Sequence, residues 1–213
     1  MYTAIYGKQA MDILLIDDHP AVNIGIATIL ESTGVFTISG QAGTLGQAMD
    51  IIEKSETLPA LVLLDLILGE ENGLDFLPML KKYCAGKKIP APPVLVCSAV
   101  GDSFTIQTAL KLGAAGYMSK AGGSAELLKG IYSTLGGKIY VSEDLKAKLT
   151  EESKRIYAMF TKTEIKVVNL MKAGKTNPEI ADQMCISIRT VENYTNKIYF
   201  KTGLSGREEV RRL

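Results

Sequence analysis

The chain has no tryptophan, one histidine (His19) and three cysteines (Cys84, Cys97 and Cys185) in 213 residues. No two cysteines stand at C-x-x-C spacing, and one histidine cannot complete a cysteine–histidine set. This argues against a zinc site or a disulfide framework, and for a reducing compartment. No apolar run approaches the ~20 residues that a membrane-spanning helix needs. The first residues lack the basic stretch and long apolar core of a secretory signal. A cytoplasmic protein with no membrane partner is therefore expected. Neither charge dominates: 24 Lys and Arg against 23 Asp and Glu leave a net +1. The balance hides a division, since residues 1–160 carry −3 and residues 161–213 carry +4. A basic tail behind an acidic body hints that the tail meets nucleic acid.

Within the first half are four short apolar runs, each ending in a reactive polar residue. Ile13–Ile16 runs into Asp17 and Asp18, Leu61–Leu64 into Asp65, Val94–Cys97 into Ser98, and Gly116–Ser119 into Lys120. Such runs read as buried strands of a parallel sheet. Helical patterns over 21–32, 45–54, 103–112 and 124–135 alternate with them, and 37–42 reads as a further strand. Five βα units in some 125 residues predict a doubly wound, five-stranded parallel α/β domain over 12–135. Ligands of such sheets sit beyond the carboxyl ends of the strands. Three carboxylates, a hydroxyl and an ammonium should therefore converge there, a set suited to a hard cation and a phosphoryl group. Residues 83–93, with one glycine and three prolines, read as a loop. Leu68-Gly69-Glu70-Glu71-Asn72-Gly73 carries strong turn chemistry. Residues 1–11 fit none of this and read as an extension, either disordered or preceding a start at Met11. Residues 136–157 read as a linker.

The motifs ILLIDDHP (13–20), LLDL (63–66), Ser98-Ala99 and YMSK (117–120) together resemble the receiver domain of two-component response regulators, a flavodoxin-like fold. The resemblance implies that Asp65 accepts a phosphoryl group from a sensor histidine kinase in a Mg²⁺-dependent reaction. It implies direct Mg²⁺ ligation by Asp18, Asp65 and the backbone carbonyl of Ile67, with Asp17 acting through a water. Mg²⁺ takes oxygen ligands and keeps several waters. Lys120 would pair with Asp65 and then with the phosphoryl group, and Ser98 would donate its hydroxyl to it. On phosphorylation Ser98 is expected to move toward the phosphoryl group and Tyr117 to turn inward. His19 is expected to be a loop residue beside the acidic pair. The family usually places a proline-containing turn after the phosphoacceptor, where this chain has Gly69-Glu70-Glu71. Gly69 should loosen that loop, and the effect of the added carboxylates on metal binding is open.

The tail shows three helix starts. Thr161-x-x-Glu164 and Thr176-x-x-Glu179 are capping boxes, and Ser187 caps a longer helix that ends before Gly203. Two short helices followed by a longer one read as a helix-turn-helix. NPEIA (177–181) and SIRTVEN (187–193) are similar to the LuxR/FixJ/NarL-type DNA-binding domain, here a smaller all-α domain over 158–213. At 100° per residue, Ile188, Val191, Thr195, Ile198 and Thr202 share a packing face. The opposite face should meet double-stranded promoter DNA through Arg189, Thr190, Glu192, Asn193, Asn196, Lys197 and Lys201. Asn and Glu suit base edges, and the cations suit phosphates. Phe200 stands on the polar face where the family often has a basic residue. The sum is a NarL/FixJ-type regulator that dimerises when phosphorylated, and not an enzyme beyond its own phosphoryl transfer and loss. Two other readings remain open at this point. One is a phosphorylation-independent DNA-binding regulator, the other a Mg²⁺-dependent α/β phosphatase or phosphotransferase.

Overall fold

The structure is a computed structural model that describes residues 10–204 and 206–213, leaving aside the side chain of Glu152. The extension expected over residues 1–11 lies outside the described residues up to residue 9, and Met11, counted as its last residue, instead opens the first strand, paired with Phe36. The described residues divide into two compact units, residues 10–101 with 109–145, and residues 102–108 with 146–213.

In the first unit, β1 (Met11–Ile16), β2 (Phe36–Ala42), β3 (Leu61–Leu64), β6 (Val94–Ser98), β7 (Gly116–Ser119) and β8 (Tyr140–Val141) form one parallel sheet in the order β2-β1-β3-β6-β7-β8. Every residue of β3 and β6 is buried, as expected for strands covered on both faces. The helices α1 (Pro20–Glu31), α2 (Leu45–Lys54), α3 (Phe76–Lys87), α4 (Ser103–Leu112) and α5 (Gly123–Leu135) make the crossovers. The strand order reverses between β1 and β3, so the carboxyl ends of these two strands flank the switch point where such sheets bind ligands.

The sequence reading departs from this architecture in three places. The sheet has six strands rather than five, because Tyr140 and Val141, read as linker, pair with Gly116 and Tyr117. Two residues carry no period, so no pattern marks so short a strand. Helix α3 runs on to Lys87, through part of the stretch read as a loop; Gly86 sits on its exposed side, and Lys88 ends it in the left-handed conformation. Between β3 and α3 the turn-rich stretch folds into a small hairpin, β4 (Ile67–Leu68) against β5 (Glu71–Asn72). Gly69, at φ +60°, takes the first turn position in the left-handed region that favours glycine.

The second unit holds α6 (Glu143–Lys146) in part, α7 (Glu151–Ala158), α8 (Lys162–Lys172), α9 (Asn177–Met184), α10 (Ile188–Thr202) and α11 (Arg207–Val210). Both capping boxes form as read, each with its Thr and Glu bonded reciprocally. Ser187 Oγ accepts from Thr190 N at 3.1 Å at the start of α10. Val168, Met171, Ile180, Val191, Ile198 and Val210 form the buried core of this unit. Phe104, from the residues of α4 that belong to it, lies edge-on to Tyr157 and Phe160. The guanidinium of Arg207 donates to Asn177 Oδ1 at 2.6 Å, tying α11 to the start of α9. Among the described residues no helix is long and apolar enough to cross a membrane.

Candidate functional site

The strand register brings the reactive residues together. Ile16 pairs with Leu64, Leu64 with Val96, and Ser98 with Ser119, so Asp17, Asp65, Ser98 and Lys120 leave four adjacent strands at one edge. Asp17, Asp65 and Ser98 are buried. Lys120 Nζ stands 2.5 Å from Asp17 Oδ2 and 2.7 Å from Asp65 Oδ2, bridging the two carboxylates. Burial pulls the Lys120 ammonium down, but its hydrogen bonds to Asp17 and Asp65 and their charges raise its pKa overall. It is therefore a fixed cation at neutral pH. Burial likewise pushes the neighbouring Cys97 thiol up to about 12, further raised by Asp65 and Asp17 against the pull of Lys120. That thiol is an inert core group.

Asp17, Asp18, His19 and Asp65 each offer a ligand atom within 4.8 Å of the others. Asp18 Oδ2 accepts from Gly69 N at 2.9 Å. Asp18 Oδ1 is enclosed and makes no hydrogen bond, although His19 Nδ1 is 2.8 Å away. An enclosed carboxylate oxygen that makes no hydrogen bond, beside two further carboxylates, is what a hard divalent cation would satisfy. The residues present therefore fit Mg²⁺. His19 also turns back on the acidic pair, its backbone N–H donating to Asp17 Oδ1 at 2.9 Å.

The hairpin after Asp65 was read as a loosened loop, and the structure corrects this. Glu71 Oε2 accepts from Leu45 N at 2.7 Å, so its carboxylate caps the first turn of α2 rather than joining the acidic cluster. The hairpin is thus fixed at its turn to Asp18 and at its second strand to α2. Sequence reading missed Gly73, which follows it. A Cβ there would overlap the Asp65 carbonyl oxygen and lie 2.8 Å from Leu66 Cα, both backbone atoms. The only signal was an Asn-Gly pair after a strand, which marks a turn and not a close approach. Gly73→Ala is expected to cost about 1–3 kcal/mol by overpacking and to displace the strand end that carries Asp65. Urea unfolding measures the first effect, and loss of phosphoryl uptake the second.

Ser98 and Tyr117, the residues expected to switch, meet at one backbone position. Ser98 Oγ accepts from Val100 N at 3.3 Å, and Tyr117 Oη donates to Val100 O at 2.6 Å. The Tyr117 side chain is fully buried. The expected inward turn of Tyr117 therefore does not start from an outward ring, because the ring is already inside and tethered to Val100.

On α10 the structure sorts the expected DNA contacts. Arg189, Glu192, Asn193, Asn196 and Lys197 are exposed, Thr190 is half-buried, and Val191, Thr195 and Ile198 face the core. Two expectations fail. Ile188, assigned to the packing face, is 47% exposed, because it stands at the first turn, beyond the edge of the core. Lys201 is not available to phosphates. Its Nζ lies 2.6 Å from Glu164 Oε2, 2.8 Å from Glu164 Oε1 and 2.9 Å from Met159 O. Glu164 is only 3% exposed, so its carboxylate needs an internal cation, and Lys201 comes off the helix on the side that faces it.

Comparison with known proteins agrees with this geometry. Residues 13–132 match the response regulator receiver domain, and residues 158–213 match the bacterial regulatory proteins of the luxR family. The chain is 30% identical over 209 residues to the transcriptional activator protein ExaE of Pseudomonas putida, covering 94% of each chain. It is 26% identical to the transcriptional regulatory protein LiaR of Bacillus subtilis, over 92% of this chain and 93% of that one. Among solved structures, RcsB of Salmonella enterica bound to a promoter with a phosphomimetic superposes at a TM-score of 0.74. That likeness has 20% identity and covers 95% of this chain and 97% of RcsB, and it speaks for the fold alone.

Proposed function

The chain belongs to the response regulators that join a receiver domain to a LuxR-type DNA-binding domain, and from that premise we propose that Asp65 is its phosphoacceptor and α10 its recognition helix. The observation that carries the reading is the Lys120 ammonium held between Asp17 and Asp65 at the sheet edge. One Asp65 oxygen is oriented by Leu66 N at 2.7 Å and the other by Lys120. A carboxylate oxygen of Asp65 attacks the phosphorus of a phosphohistidine on a sensor histidine kinase. The P–N bond breaks as the P–O bond forms, and the imidazole leaves with a proton from solvent. Asp17, Asp18, Asp65 and the carbonyl of Ile67 would hold Mg²⁺, which supplies screening between carboxylate and phosphoryl charge. Lys120 supplies a second, fixed cation to the acyl phosphate.

Phosphorylation adds about −1.5 to −2 charge beside Ser98. If Ser98 moves so that its hydroxyl donates to that group, its Oγ leaves Val100 N–H, while Tyr117 Oη still donates to Val100 O. The modification shifts the protein toward a dimeric, promoter-binding state to the extent that it prefers that state. The working protein is a cytoplasmic transcription regulator, with no substrate turnover beyond its own phosphoryl group. A small phosphodonor should add the mass of one phosphoryl group to the intact chain in the presence of Mg²⁺. With a chelator it should add none; uptake without Mg²⁺ would contradict the metal assignment.

At the DNA, Glu192, Asn193 and Asn196 face base edges in the major groove, and Arg189 and Lys197 face phosphates. Arg189→Ala and Lys197→Ala should each weaken binding on all sequences and lower the slope of log affinity against log salt by about 1. Titrations of a bound duplex at several salt concentrations measure this. An unchanged slope would remove the residue from the phosphate set.

A further inference from the structure

We propose that Phe200 is a specificity-determining residue of α10 that packs on the C5-methyl group of a thymine in the major groove. The inference rests on the DNA-binding reading of α10 and adds to it a contact of a different chemistry. Phe200 is 91% exposed, the most exposed large apolar residue described, while Ile198 two positions earlier is fully buried. Its ring therefore belongs to no core of its own unit. At 100° per residue it lies one turn beyond Asn196 and nearly in line with Asn193, with Lys197 beside it. Asn193, Asn196 and Lys197 are all exposed. An apolar ring thus stands toward the C-terminal end of a largely polar face.

The dimensions allow the contact. Phe200 stands seven positions beyond Asn193, a rise of about 10 Å, within the ~12 Å width of the major groove. The chemistry narrows the partner. A phenyl ring neither donates nor accepts a conventional hydrogen bond, so it cannot read the polar marks on base edges. The thymine methyl is the one apolar mark the groove offers, and apolar side chains including Phe are suited to it. Lys197 keeps the approach of this face to a polyanion favourable, so the ring is carried to the groove by charge and selects within it by shape. A second protein would instead be expected to meet an apolar surface wider than one ring.

The test uses the full chain, with a small phosphodonor and Mg²⁺ present, and a random duplex library. Wild type should select sites with a fixed thymine that Phe200→Ala no longer requires, while the other preferred positions persist. Replacing that thymine by deoxyuridine removes only the methyl group. It should weaken wild type about fourfold, the worth of one buried methyl, and leave Phe200→Ala unaffected. Phe200→Leu should keep the preference. Phe200→Lys should lose it and gain affinity on every sequence. If wild type selects sites and Asn193→Ala weakens them, but Phe200→Ala selects the same sites with equal affinity, this inference is overturned and the DNA reading stands. If wild type selects no site, both fall.

Discussion

The Asp65→Asn variant takes up no phosphoryl group under conditions in which the wild-type chain gains the mass of one. Asparagine has nearly the shape of aspartate, so the strand end and the hairpin on it keep their packing. What it loses is the nucleophile, since an amide oxygen carries no full charge and cannot form an acyl phosphate. It also removes one of the two anions that bridge to Lys120, 2.7 Å away. Lys120 then keeps Asp17 alone, and its raised pKa falls back toward the ordinary lysine value. Lys120 remains charged at neutral pH, so the defect lies in the acceptor rather than in folding. Intact-mass spectrometry with a small phosphodonor reads the result. Equal uptake by the variant would move the phosphoacceptor to another residue.

Lys201→Met destabilises the second unit by about 3 kcal/mol without changing the salt dependence of DNA binding. Removing one partner of a buried pair leaves the other charge uncompensated, at a typical cost of ~3–5 kcal/mol. The lower end applies, because the Lys201 side chain is 29% exposed. Burial alone would raise the Glu164 carboxyl. The hydrogen bond from Lys201, the capping bonds from Thr161 and the Lys201 charge outweigh it and hold the group below its usual pKa. A depressed carboxylate contributes stability above its unfolded pKa and loses it as pH falls through the folded one. The wild-type unit should therefore weaken as pH drops below the usual carboxylate range, and the difference between wild type and Lys201→Met should shrink there. Thermal unfolding at neutral and acid pH measures both. Were Lys201 a phosphate contact instead, stability would hold and the salt slope would fall by about 1.

Residue pattern alone shows the strand ends well. An apolar run that stops at a polar or charged residue carries both the strand and its edge, so the positions of Asp17, Asp65, Ser98 and Lys120 could be read from the sequence. The capping boxes at Thr161 and Thr176 were legible for the same reason, since each is a local contact three residues long. What was not legible depends on neighbours distant in sequence. Nothing around Glu71 says that its carboxylate turns to Leu45, 26 positions away, rather than to the acidic pocket. Lys201 looks like any cation on a polar helix face until Glu164, 37 positions earlier, is seen to be buried beneath it. Tyr140 and Val141 become a strand only because the edge of β7 is open beside them. The family's pattern could not help at Gly69–Glu71, where this chain departs from it. There the structure replaces an expected loose loop with a hairpin pinned at both Asp18 and α2.

The central claim is that the state of Asp65 governs DNA binding by α10. Its most direct measurement is the affinity of the full chain for a selected duplex, with and without phosphodonor and Mg²⁺, in wild type and Asp65→Asn. A rise in wild-type affinity on phosphorylation, accompanied by dimerisation and absent from Asp65→Asn, is the predicted result. Equal affinity in all four conditions would contradict the account and leave a DNA-binding protein whose receiver domain does not control it.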